Sequence, residues 1–294
     1  MFLGETIYSI VMQFTFQQKK IFLIVAAVAI LLCAIVWVWQ RPSVVVKSAL
    51  LKANQAETHV FKAIIDIQNN QATTALLGEE GKVRLELDGV FQEAADKNSS
   101  LQSQVTMNLQ TDSVTLQLAG EVRFIEDKAY LLINKSPAVF PALAKLKGTW
   151  IELPRGAHEQ IEENQPITGE LFSSVKYEGR EKRDGQTVLH YGTMATQVAI
   201  VRMMDSIAQL LGTQLTEQQL TSLRDGMAQV KEVPVEVWVT PFAHELQGIK
   251  ATLAVPGGNT LQFELLLKDR NKAVQISKPE NALTADKAFS PTAQ

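Results

Sequence analysis

Residues 82–91, KVRLELDGVF, set Val83, Leu85 and Leu87 on one side of an extended chain and Lys82, Arg84, Glu86 and Asp88 on the other. A period of two fits a pleated strand with one dry and one wet face, and it fits no helix. The pattern recurs along the chain. QVTMNLQ (104–110) sets Val105, Met107 and Leu109 against Gln104, Thr106, Asn108 and Gln110, and VTLQLAGEVRF (114–124) continues with Val114, Leu116, Leu118, Val122 and Phe124. Further extended segments are VFKAIIDIQ (60–68), AYLLIN (129–134), TWIEL (149–153), KYEGREKR (176–183), QTVLHYG (186–192), VPVEVWVT (233–240), IKATLAV (249–255), TLQFELLL (260–267) and AVQIS (273–277). We expect about 11 antiparallel strands from them. Asp184-Gly185 is the strongest short hairpin signal, and Glu126-Asp127-Lys128, Pro256 to Asn259 and Lys268 to Asn271 supply other turns.

Helical periodicity is confined to a few places. SVVVKSALLKANQAET (43–58) aligns Val46, Ala49, Leu50 and Ala53, PAVFPALAKLKG (137–148) is short, and a pair is expected over 197–211 and 216–231. Thr216 with Gln219 forms a capping box for the second of that pair. An open, strongly twisted sheet of more than about ten strands curls, splits or flattens. A sheet greasy on one side alone curls that side inward. The expected fold is therefore α+β, mainly β: an N-terminal transmembrane helix, then a curled antiparallel sheet in a half-barrel with helices on its concave face.

The transmembrane expectation rests on Ile21–Trp39, 19 residues without a charge, of which twelve are Ile, Leu, Val or Phe. As a helix they rise about 28 Å, the thickness of a hydrocarbon core. Cleavage would need small residues after a short apolar core, whereas Trp37-Val38-Trp39-Gln40-Arg41-Pro42 follows here. Lipidation at Cys33 would need a small residue before it, and Leu32 stands there. Lys19 and Lys20 favour a cytoplasmic amino terminus and an extracytoplasmic remainder, which has no cysteine after position 33. Met12 is an alternative start. The expected divisions are a cytoplasmic or interfacial segment (1–20), a spanning helix (21–39), a half-barrel domain (43–285) and a disordered tail (286–294).

Charge and motifs exclude several classes. The chain carries −3; residues 1–42 hold Lys19, Lys20 and Arg41 against Glu5, so the remainder carries −5. With no basic stripe, nucleic acid is not an expected partner. Histidines 59, 158, 190 and 244 are scattered, and no nucleophile elbow, phosphate loop or dinucleotide fingerprint is present. Glu79-Glu80 and Glu162-Glu163 read as solvated loop charge. Neither catalysis, a cofactor nor a metal is expected.

GEVRFIEDKAYLLIN (120–134), GTWIEL (148–153), VEVWVTPFAHELQGIKATL (235–253) and AVQISKP (273–279), a last strand ending in proline, resemble in order and pattern the LppX/LprG-type lipoproteins and, more distantly, the LolA/LolB lipoprotein-localisation factors. The resemblance spans nearly all of 43–285. It implies a curled sheet plugged by helices that binds acyl chains or lipoprotein lipids between the two layers. The expected partner is therefore a lipid or an acylated protein, with the membrane met through 21–39. Cavity candidates are Val83, Leu85, Leu87, Val105, Met107, Leu109, Leu116, Leu118, Val122 and Phe124 from strands, and Ile200, Met203, Met204, Ile207 and Met227 from the helical pair. Methionine adapts to irregular ligand shapes. The same residues also suit a plain packed core. The alternative is accordingly a packed interaction or sensory scaffold of the cell envelope that meets a partner protein through its wet outer face.

Overall fold

A computed structural model describes residues 41–68, 79–93, 99–125, 128–154, 172–196, 199–200, 221, 232–255 and 259–288. The described chain opens with helix α1 (Pro42–Asn54), followed by strands β1 (Thr58–Gln68), β2 (Lys82–Glu93), β3 (Ser99–Gln110), β4 (Thr115–Ile125) and β5 (Lys128–Lys135). A short helix α2 (Pro141–Lys145) leads to β6 (Trp150–Pro154), β7 (Phe172–Arg183), β8 (Gln186–Thr196), β9 (Glu232–Val239), β10 (Leu246–Val255) and β11 (Asn259–Lys268). The two-residue β12 (Leu283–Thr284) and helix α3 (Ala285–Ala288) complete it. Among the described residues no helix is long and apolar enough to cross a membrane, and Ile21–Trp39 lies outside them. So does most of the expected helical pair, apart from Ala199, Ile200 and Thr221, which are helical.

All twelve strands form one open, curled sheet in the order β12-β6-β5-β4-β3-β2-β1-β11-β10-β9-β8-β7. It consists of two meanders, β1–β6 and β7–β11. They join where β1 pairs with β11, from Val60 opposite Lys268 to Gln68 opposite Thr260. The described strand pairings are antiparallel except β12 with β6, and an isolated bridge between Ile133 and Lys147 is also parallel. The β7–β8 hairpin turns at Asp184 (φ 48°) and Gly185 (φ 79°), the double positive φ that a two-residue turn matching strand twist demands.

The expected strand at 273–277 is not formed. Its alternation is real, but β11 already has β1 on one side and β10 on the other. A strand leaving β11 through a tight turn therefore has no edge to pair with. The chain instead leaves the ladder at Asp269 and Asn271 (φ 46° and 53°) and runs as an irregular strap, 272–279. Asn271 N donates to Thr58 O (3.0 Å), Thr58 Oγ1 donates to Lys272 O (2.9 Å), and Arg123 Nη1 donates to Ser277 O (2.8 Å). The strap thus crosses from β1 past β4 and delivers β12 to the edge of β6.

Helix α1 begins with proline at its first turn, where a missing N–H costs nothing. It buries Val45, Val46 and Ala49 against β7, β9 and β10. Leu50 and Ala53 pack beside them as the spacing predicts, and Val45, fully buried, widens the stripe. Each buried valine contributes roughly 1.5–3 kcal/mol by leaving water. His59 Nε2 donates to Ala53 O (2.7 Å) and ties the end of α1 to β1.

Candidate functional site

Register decides which residues share a face. Across β2, β3 and β4 the apolar rows run Val83–Leu109–Leu116, Leu85–Met107–Leu118, Leu87–Val105–Gly120, Gly89–Ser103–Val122 and Phe91–Leu101–Phe124. All ten strand residues expected to line a cavity therefore lie on one face of three adjacent strands. The rows continue through Ile65 and Ile67 of β1 into Phe263 and Leu261 of β11. Those four were missed as site residues, although the alternation in 60–68 and 260–267 carries the same signal.

The face is covered unevenly. Over β8–β11 the side chains of α1 and Ile200 close a core that includes Tyr191, Val235, Val237, Leu253 and Leu267. Over β5 and β6, Leu143 and Leu146 beside α2 and Ala288 of α3 pack on Ile133 and Ile151. Between these caps lies the stretch from β11 through β1 to β4. There Leu87, Leu109, Leu116 and Phe124 are buried, at 4–9 % exposure, while Val83, Leu85, Val105, Met107, Ile65, Ile67 and Phe263 are only half-buried. Val122, also half-buried, packs on a third cluster of Leu101, Phe124 and Ala129, and half-buried Leu118 packs on the Ile133 cluster. Ile200, at 4 % exposure, belongs to the α1 core. Met203, Met204, Ile207 and Met227 lie outside the described residues.

Two glycines in these rows do not make ligand space. A Cβ on Gly120 would sit 2.2 Å from Leu132 O, and one on Gly89 would sit 2.2 Å from Gln102 O. They are needed for the approach of neighbouring backbone. What the face offers is therefore apolar surface. Among the described residues no three His, Cys, Asp or Glu groups converge as a metal site. His59 and His244 are buried, and that burial lowers both pKa values below the ordinary imidazole value.

The outer face is polar over its middle. Arg84 bonds Glu86 (2.7 Å) and Asp66 (3.2 Å), and the Arg84 bond holds the Glu86 carboxyl below its usual range. It is not wet throughout, which corrects the expectation of a wholly wet outer face. At one end the tip of the β7–β8 hairpin folds over β9–β11. Arg183 lies 3.7 Å above the Trp238 ring and bonds Glu264 (2.6 Å), Asp184 bonds Lys268 (2.7 Å), and Trp238 keeps 4 % exposure. His190 stacks on the same indole at 5.2 Å. Read by alternation alone, Trp238 falls on the wet side; only the returning hairpin hides it. At the other end the strap shelters Tyr130 (1 % exposed) and Glu121, which accepts from Gln102, Gln104 and Arg123 at 2.7–2.8 Å. A shallow open depression of about 510 Å³, lined by Asn108, Thr115, Gln117, Lys135 and Ser136 among others, also lies on this polar face. Leu116, which ends one of the apolar rows, is among its lining residues.

The structure is similar to that of LprF from Mycobacterium bovis, with 12% identity, TM-score 0.48, and 81% of this chain and 95% of that one covered. It is also similar to the Mycobacterium tuberculosis lipoprotein LppX, with 13% identity, TM-score 0.39, and 79% and 96% covered. The second of these is named among the lipoproteins that the sequence resembles. Identities this low transfer no residue roles. No family model and no curated protein matches the chain.

Proposed function

We propose that this protein is a membrane-anchored, extracytoplasmic protein that holds the acyl part of a lipid or lipoprotein, without covalent chemistry, against the concave face of its sheet. One observation carries the reading. Among the described residues a continuous apolar face is capped at both flanks, and between the caps Val83, Leu85, Val105, Met107, Ile65, Ile67 and Phe263 stay half-buried. Burial alone can hold a long chain there, at about 0.8 kcal/mol for each methylene removed from water. Anchoring draws on Ile21–Trp39, whose length and lack of charge match a bilayer core.

The test uses fragment 41–294, which contains every described element. Organic extraction followed by mass spectrometry should find a co-purifying lipid, and an apolar fluorophore should bind the emptied protein. Leu85→Asn and Met107→Gln, on directly paired positions, should each weaken that binding about tenfold while leaving the fold intact. No retained lipid together with no fluorophore binding overturns the proposal.

The packed-scaffold reading draws support from Leu87, Leu109, Leu116 and Phe124, which are already buried. It predicts that both substitutions lower stability and that no apolar probe binds at all.

A further inference from the structure

We infer that the domain lies on an anionic lipid surface through the outer stripe of α1 and the turn Pro241–Ala243, so that the apolar rows open towards the bilayer. The inference rests on the anchored, lipid-binding reading above. It begins with the side of α1 that the sheet does not use. Val45, Val46 and Ala49 face the core, which leaves Ser43, Lys47 and Leu51, at successive steps of four, exposed on the opposite side. Leu51 is 50 % exposed.

Lys52 Nζ donates to the carbonyl oxygen of Ala243, so the 241–243 turn sits beside the carboxyl-terminal half of the helix. Phe242 tops that turn, 73 % exposed and at φ 61°. A left-handed backbone is costly for an aromatic residue and persists only where its surroundings enforce it. Here they do. Thr240 N donates to Glu245 O (2.8 Å), Ala243 N to Pro241 O (2.6 Å), His244 N to Thr240 O (3.2 Å), and Glu245 N to Thr240 Oγ1 (3.0 Å). A rigid turn that spends strain to present a bare phenyl ring to water gains nothing from water. At a bilayer interface the same ring and the Leu51 side chain find apolar surroundings.

Charge and tether name the occupant. Helix α1 carries Lys47 and Lys52 and no acidic residue. Glu245, at the base of the turn, and exposed Glu57, three residues beyond the helix, are the acidic neighbours in sequence, and Arg270 offsets Glu245. Long lysine side chains lay their stems on apolar surface and reach phosphate with their heads. The apolar run ends at Trp39, three residues before Pro42, so an inserted run holds α1 next to the headgroups. The 13-residue helix then lies along the surface for about 20 Å. Because α1 packs on the same sheet face as the half-buried rows, docking in this pose turns those rows towards the lipid from which a chain is taken.

The test uses the full chain with Cys33→Ala, reconstituted in vesicles of phosphatidylcholine and phosphatidylglycerol with brominated acyl chains. A bimane is placed on a single cysteine introduced as Phe242→Cys, Leu51→Cys or, on the exposed outer face of β10, Thr252→Cys. Quenching at positions 242 and 51 should exceed that at 252 about threefold, since an interfacial face sinks to the acyl boundary. Lys47→Gln, or replacing phosphatidylglycerol with phosphatidylcholine, should shift the docking equilibrium about fivefold towards release. Equal quenching at the three positions, or quenching indifferent to both changes, overturns the inference. Lipid retained by fragment 41–294 is read separately. Retention with equal quenching sinks this pose and spares the function, and unequal quenching with neither retained lipid nor fluorophore binding sinks the function.

Discussion

His59 and His244 sit where α1 meets the sheet, and burial keeps both neutral. His59 is 9 % exposed, with its proton donated to Ala53 O, and His244 is fully buried near Lys52. Their folded pKa values lie below the ordinary 6.5, so the unfolded chain binds protons more readily than the folded one. The stability they allow is complete above 6.5. It is lost as pH falls from there through the lowered folded values. Melting temperature should therefore drop over the interval below about pH 6.5, and His59→Gln, which keeps a donor for Ala53 O, should flatten the drop. A melting temperature that is flat over that interval would contradict this account of the α1 contact. Glycines separate in the same physical way. Gly89→Ala puts a methyl 2.2 Å from Gln102 O, a backbone atom, and should cost about 3 kcal/mol or more in denaturant unfolding. Gly192→Ala meets only the flexible Glu178 side chain, at 3.2 Å, and should stay within about 1 kcal/mol.

The strap and the returning hairpin are the elements whose behaviour differs most from their local pattern. The strap is fastened at Thr58 and again at Arg123, whose guanidinium bonds Glu121 and Ser277 O and lies 4.8 Å from the Trp150 ring. Arg123→Ala removes the second fastening and leaves Glu121, 8 % exposed, with only its two glutamine donors. We expect a loss of about 2–3 kcal/mol, with amides of 272–284 exchanging faster in hydrogen-exchange mass spectrometry. Unchanged exchange in that stretch would mean that the strap is held elsewhere. Period-two spacing made 273–277 look like a strand because spacing reports which faces a segment could present. It does not report whether a neighbouring edge is vacant. Trp238 misleads for the related reason that its cover comes from residues 183 and 184, more than fifty positions away in the chain.

Across the molecule, the seam between β1 and β11 decides how the two meanders become one sheet. It pairs residues about two hundred positions apart, such as Phe61 with Leu267, and it lies in the interior of the sheet. Closing so long a loop is slow and is rewarded only when the whole sheet forms. Amides of β1 and β11 should therefore exchange only through global unfolding, while those of the edge strand β7 exchange through local fraying. Equal protection in β7 and β1 would argue against a single cooperative sheet.

Local patterning was enough to establish a mainly β chain, the dry side of β2, β3 and β4 with its ten strand candidates, the α1 stripe and the Asp184-Gly185 turn. These follow from a two-residue pleat and a 3.6-residue helix, which act over distances that a short window contains. Which strands are neighbours, that β1 meets β11, that 272–279 straps the outer face, and that Trp238 is hidden were decided only in three dimensions. Hydrogen-bonding edges are satisfied once each, and the choice of which segment takes an edge is made by competition across the entire chain. The half-buried rows between the two caps have the same origin. Their apolar character is written in the alternation, and which of them the described helices cover is set by where α1, α2 and α3 come to rest.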